Sequence, residues 1–178
     1  MIKYATNETI NKLILLYVMD KMDSEMIEDT IFDMCYYRNK WLSYFGCKIA
    51  LQDLIKSGYV LEIKSTQTQE RYYTITNEGR SCLSYFYGEI PPSIRDEIAE
   101  FVKQNRLAFK RKQEYFSDSY KNDDGSLTVV LKIIEPTSTK IELKLNVPQK
   151  LTAKKVEREW QEKASKVYAA IFDILFDN

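Results

Sequence analysis

Residues Cys47-Lys-Ile-Ala-Leu-Gln-Asp-Leu-Ile-Lys-Ser-Gly58-Tyr-Val60 run directly into Leu61-Glu-Ile-Lys-Ser-Thr-Gln-Thr-Gln-Glu-Arg71-Tyr-Tyr-Thr-Ile-Thr-Asn-Glu-Gly79-Arg-Ser-Cys-Leu83. The order read from this stretch is helix, hairpin, helix. Apolar residues at 47, 50, 51, 54 and 55 keep the i, i+3, i+4, i+7, i+8 spacing of a helix with one apolar face. Gly58 supplies the left-handed stop just beyond it. Tyr59, Leu61 and Ile63 then alternate with Val60, Glu62 and Lys64, and Arg71 to Ile75 is rich in Tyr and Thr, residues suited to a pleated, half-buried surface. Thr76 is placed to cap a helix that starts near Asn77.

Working outward, Ile10, Leu13, Ile14, Tyr17 and Val18 form one stripe and predict a first helix over about Glu8 to Met22. Ser24 is the expected cap of a second helix carrying Ile27, Ile31, Met34 and Cys35, with Tyr36 to Lys40 as a connection. Ile90-Pro-Pro92 cannot continue a helix, so the domain boundary is expected there, giving parts 1–90 and 91–178. Beyond it a helix from Ser93 to about Lys112 precedes a three-stranded antiparallel meander of Glu114 to Lys121, Leu127 to Ile134 and Thr139 to Val147, the first turn carried by Asn122-Asp-Asp-Gly-Ser126. A long helix from about Thr152 to Phe176 closes the chain. The fold class is therefore α+β: three helices with a hairpin, then a meander flanked by helices.

Leu51, Leu54, Gly58, Tyr72, Tyr73, Ile75, Thr76 and Gly79 together resemble the recognition helix and wing of bacterial winged-helix proteins. Tyr44-Phe45, Ser57-Gly58, the Ile90-Pro91 junction and the strand Glu142-Leu-Lys-Leu-Asn-Val147 are similar to a bacterial family of unknown function, domain-of-unknown-function family 4364, over nearly the whole chain. That resemblance implies an N-terminal winged helix-turn-helix and a transcriptional regulator of the MarR or PadR kind.

Composition narrows the function classes. No stretch approaches the roughly 20 apolar residues a membrane-spanning helix requires, and no secretory leader is evident, so a cytoplasmic location without membrane attachment is expected. The chain has no histidine, the commonest proton carrier near neutral pH. Its 3 cysteines are widely spaced, which suits buried thiols better than a metal site or disulfides. Phosphate-loop, dinucleotide and nucleophile-elbow motifs are lacking. An enzyme, a cofactor and a bound metal are accordingly not expected.

The candidate chemistry is recognition. With 47, 50, 51 and 54 inward, the third helix turns Phe45, Lys48, Ile49, Gln52 and Lys56 outward. Gln can bridge adenine, Lys can reach guanine or phosphate, and Phe or Ile can pack on a thymine methyl. Lys64 and Arg71 flank the hairpin tip, and Arg38 with Lys40 precede the helix, all placed to hold backbone phosphates. The expected partner is double-stranded DNA. Opposing this, residues 1 to 92 hold 7 Lys and 3 Arg against 5 Asp and 7 Glu, a net charge of −2. A domain so poor in cations needs two half-sites, so a homodimer is expected. The same outward apolar residues equally describe a protein-docking scaffold without DNA, and a small-molecule effector of unspecified chemistry is a further possibility.

Overall fold

The computed structural model describes residues 7–176. Helix α1 spans Glu8–Met22, capped by Asn7, whose side chain accepts from the Thr9 N–H at 2.8 Å, and it ends in a left-handed Asp23. A two-residue strand β1, Met26–Ile27, leads to α2, Glu28–Phe32, which continues as a π-helical turn over Asp33–Arg38. Helix α3 is Tyr44–Lys56, and its cap Ser43 accepts from the Gly46 N–H at 3.0 Å. Strands β2, Val60–Lys64, and β3, Arg71–Ile75, form the hairpin, and α4 covers Asn77–Phe86. After a short 3-10 turn come α5, Pro92–Glu114, then β4, Tyr115–Lys121, β5, Leu127–Glu135, β6, Ser138–Val147, and α6, Lys150–Phe176. The architecture is α+β, with two three-stranded antiparallel sheets ordered β1-β3-β2 and β4-β5-β6.

The first compact unit comprises residues up to Ser65 together with Gln69–Lys110. Its core is α1, buried on nearly every side through Leu13 to Met19, with Met34, Trp41, Leu42, Leu51 and Leu54 packed around it. Full burial of each such side chain contributes about 1.5–3 kcal/mol, which is why this helix anchors the unit. Thr76 caps α4 as expected, accepting from Gly79 N–H at 3.0 Å while its hydroxyl donates to the Gly58 carbonyl. Gly58 sits at φ 73°. Gly79 is required for another reason: a Cβ there would lie 2.3 Å from the Tyr59 carbonyl oxygen.

Several expectations need correction. Ser24 caps nothing, because β1 intervenes and pairs Met26 with Tyr73 and Ile27 with Tyr72 before α2 begins at Glu28. Tyr36 to Arg38 is helical rather than a connection, since α2 continues into the π-helical turn that holds Met34 and Cys35 in the core. In β2, whose alternation leaves the inward face open, Val60 is buried at 2% exposure and Leu61 faces out. The units divide at Lys110 rather than at 90/91: Ile98, Val102 and Phe109 of α5 belong to the first core, and Phe101 stacks edge-on against Trp41 at 5.6 Å. Prolines 91 and 92 mark a helix start, not a change of unit.

The second unit comprises Thr66–Thr68 and the chain from Arg111 onward. Strand β5 is central, pairing Leu131 with Ser117 on one side and Leu143 on the other. Its Val129, Leu131 and Ile133 meet Ala153, Trp160 and Ala164 of α6. The Trp160 indole N–H donates to the Lys132 carbonyl at 3.1 Å, which fixes the helix over the sheet.

Candidate functional site

Helix α3 owes its orientation to Cys47, Ala50, Leu51 and Leu54, all buried against the core. The opposite face is therefore outward, as the spacing predicts. Phe45 is 75% exposed and Ile49 45% exposed, and Gln52 and Lys56 are also exposed. Five of the predicted residues thus lie on the outer half of one helix, although Lys48 is partly covered.

The cations do not present themselves as the sequence suggests. Lys48 Nζ lies 2.8 Å from Glu28 Oε1, and that carboxylate holds the ammonium pKa above its ordinary value. Arg71 Nη1 donates to both oxygens of Glu62, each at 3.1 Å, across the β2–β3 pair. Arg38 is paired with Asp33 at 3.1 Å and lies over the Phe109 ring at 5.0 Å, while Lys40, at φ 57°, places its ammonium 4.4 Å from the Tyr36 ring centroid. Lys56 and Lys64 make no ion pair within 4 Å among the described residues, and both are exposed. At the hairpin tip, Thr66 N–H donates to the Pro136 carbonyl at 3.0 Å and Gln67 Oε1 accepts from the Thr139 hydroxyl at 2.7 Å, both within the second unit. Those tip groups are satisfied inside the protein.

A family described as a domain of unknown function, DUF4364, matches residues 11–175. The chain belongs to this family. No curated protein matches it. The matched span takes in α3, the hairpin, both sheets and nearly all of α6.

The sequence reading missed a groove of about 490 Å³ beside α3, lined by Glu28, Asp29, Phe32, Asp33, Tyr37, Tyr44 and Lys48. Phe32 and Tyr44 are 5.0 Å apart, and Tyr36 packs on Tyr44 at 5.8 Å and on Tyr37 at 4.8 Å, so the aromatic side of this groove is continuous. Its signal was present in Glu28-Asp29 and Asp33 once α2 is known to begin at Glu28. Among the described residues, no group of three or more Cys, Asp or Glu side chains is arranged to hold a metal ion. No described helix is long and apolar enough to cross a membrane.

Proposed function

We propose that this chain is a winged-helix protein that binds double-stranded DNA as a homodimer and acts in transcriptional regulation. The observation that carries the reading is the element order α1-β1-α2-α3-β2-β3 with a β1-β3-β2 sheet, which leaves the outer face of α3 exposed next in sequence to a two-stranded wing. In this reading Gln52 and Lys56 meet base edges, Phe45 and Ile49 pack on thymine methyls, and Lys64 and Lys40 hold phosphates. The ion pairs at Lys48, Arg71 and Arg38 do not forbid phosphate contact: exposed pairs are worth only about 0–1 kcal/mol, so a phosphate can displace the carboxylate. They do lower the net gain, which makes two copies per site necessary. Phe172, Ile174, Leu175 and Phe176, all exposed near the end of α6, support pairing of subunits.

The test is selection of fragmented genomic DNA at low and near-physiological salt, with Lys48→Ala/Gln52→Ala/Arg71→Ala as control. A shared two-fold motif lost in the triple variant supports the reading, and no enrichment by folded, dimeric protein at either salt sinks it.

A second reading rests on the acid-lined aromatic groove. Glu28, Asp29 and Asp33 beside Tyr37, Tyr44 and Phe45 suit a basic, apolar protein segment better than a phosphate backbone. It makes the domain a protein-docking scaffold. Phe45→Ala would then abolish partner capture while the triple variant retains it.

A further inference from the structure

Lys103 and Arg106 lie three residues apart on one face of α5, both exposed, and Lys110, one turn further on, already has an interaction partner. The helix macrodipole accounts for Arg111 and Lys112 in the last turn, but Lys103 and Arg106 lie two or more turns before its end at Glu114, beyond the reach of that effect. Lys103 and Arg106 line a recess of about 410 Å³ whose other wall is Lys21, at the end of α1. Ala99, Val102 and Leu107 also line it, and Leu107 is 61% exposed among these cations. A smaller recess of about 120 Å³ shares Arg106 and Leu107 and adds Lys110. Among the described residues Asp23 is the one acid lining either recess, and Arg80 Nη2 already engages it at 2.9 Å. Lys21, Lys103 and Arg106 thus share an apolar floor with no carboxylate among the described residues that line the larger recess.

From this we infer that the α1–α5 groove binds a small amphipathic organic anion, a carboxylate with a short aliphatic body. The carboxylate meets Lys21, Lys103 and Arg106, relieving their mutual repulsion, and the aliphatic body covers Leu107 and Val102. A nucleic-acid backbone would satisfy the cations but leave Leu107 in water. A bilayer surface favours a convex amphipathic face, whereas these cations stand on two walls of a recess. This site lies within the first unit and does not depend on the DNA reading.

The full chain is titrated calorimetrically with octanoate, with octanamide as its neutral counterpart and acetate as the head group alone. Octanoate is expected to bind saturably at one site per chain, and octanamide and acetate at least about tenfold more weakly, as the loss of a charge-assisted contact or of the apolar body implies. Lys103→Ala/Arg106→Ala, at exposed helical positions where alanine is well tolerated, should lose about tenfold or more, and Arg106→Lys should stay within a few-fold of the parent protein. Equal binding of octanamide, an unchanged double variant, or no saturable octanoate heat overturns the inference. Binding to phosphatidylglycerol vesicles without octanoate binding overturns it in favour of a membrane surface.

Discussion

Glu28 decides how far Lys48 can serve a partner. The carboxylate takes the ammonium at 2.8 Å and contributes a negative charge beside α3, so it opposes phosphate twice: by occupying the cation and by repulsion. If α3 reads DNA, Glu28→Gln should tighten binding several-fold and steepen the salt dependence by about 0.9 in log–log slope, one additional phosphate contact. Fluorescence anisotropy at a series of salt concentrations measures both. Unchanged affinity and slope would indicate that Lys48 does not face the backbone. Gly79 is constrained by space alone. The α4 backbone passes so close to Tyr59 that Gly79→Ala should cost about 1–3 kcal/mol, lowering Tm by about 2–4 °C per kcal/mol for a chain of this size. Tyr17 gives a pH handle. Burial, then its hydrogen bond with Tyr87, pushes its pKa from 10.0 up to about 12. The folded state therefore holds the phenol proton after the unfolded state has lost it, so this stability is present below pH 10 and is lost as pH rises toward 12. Tyr17→Phe should flatten the fall in Tm across that window.

At the scale of elements, legibility followed periodicity and length. The bounds of α1, the cap and start of α4 and the three meander strands could be read because each has a long stripe or a defined cap or turn. Strand β1 has two residues and no alternation to detect, and it exists only because β3 offers Met26 and Ile27 an edge 45 or more residues away. The π-turn at Asp33–Arg38 escaped because Ile27, Ile31, Met34 and Cys35 still fit the 3.6-residue stripe, so the spacing carries no sign of a wider turn. The outward face of α3 was legible because its inward face is strict. The partners of its cations were not, because Glu28 pairs with Lys48 from 20 residues away, and Glu62 reaches Arg71 only through strand register. In α6, Trp160 carries the docking of helix on sheet. Trp160→Ala should cost about 3–5 kcal/mol by cavity formation, whereas Trp160→Phe keeps most of the ring and loses chiefly the hydrogen bond to Lys132, about 0.5–1.5 kcal/mol. Urea denaturation of the two variants separates packing from hydrogen bonding, and equal losses would contradict that division.

For the whole molecule the decisive quantity is charge against valency. The chain carries 26 basic and 26 acidic residues, so its net charge supplies no long-range attraction for a polyanion, and under the proposed DNA reading affinity must come from engaging two sites together. Under the same proposal the end of α6 is the pairing surface, because Phe172 and Phe176 stack at 4.6 Å and Ile174 and Leu175 are exposed beside them. Phe172→Glu/Leu175→Glu puts two carboxylates on that patch, and two copies brought together would then bury four like charges. Light scattering should show a monomer, with the first unit's fold retained because neither residue belongs to either core. If the chain binds DNA as proposed, that binding should fall by about 10²–10⁴, the avidity contribution of a second half-site, while the salt slope per chain remains unchanged. A dimer that persists in the variant places the pairing surface elsewhere. A monomer that keeps full DNA affinity shows instead that one copy suffices and that low basicity does not require a dimer.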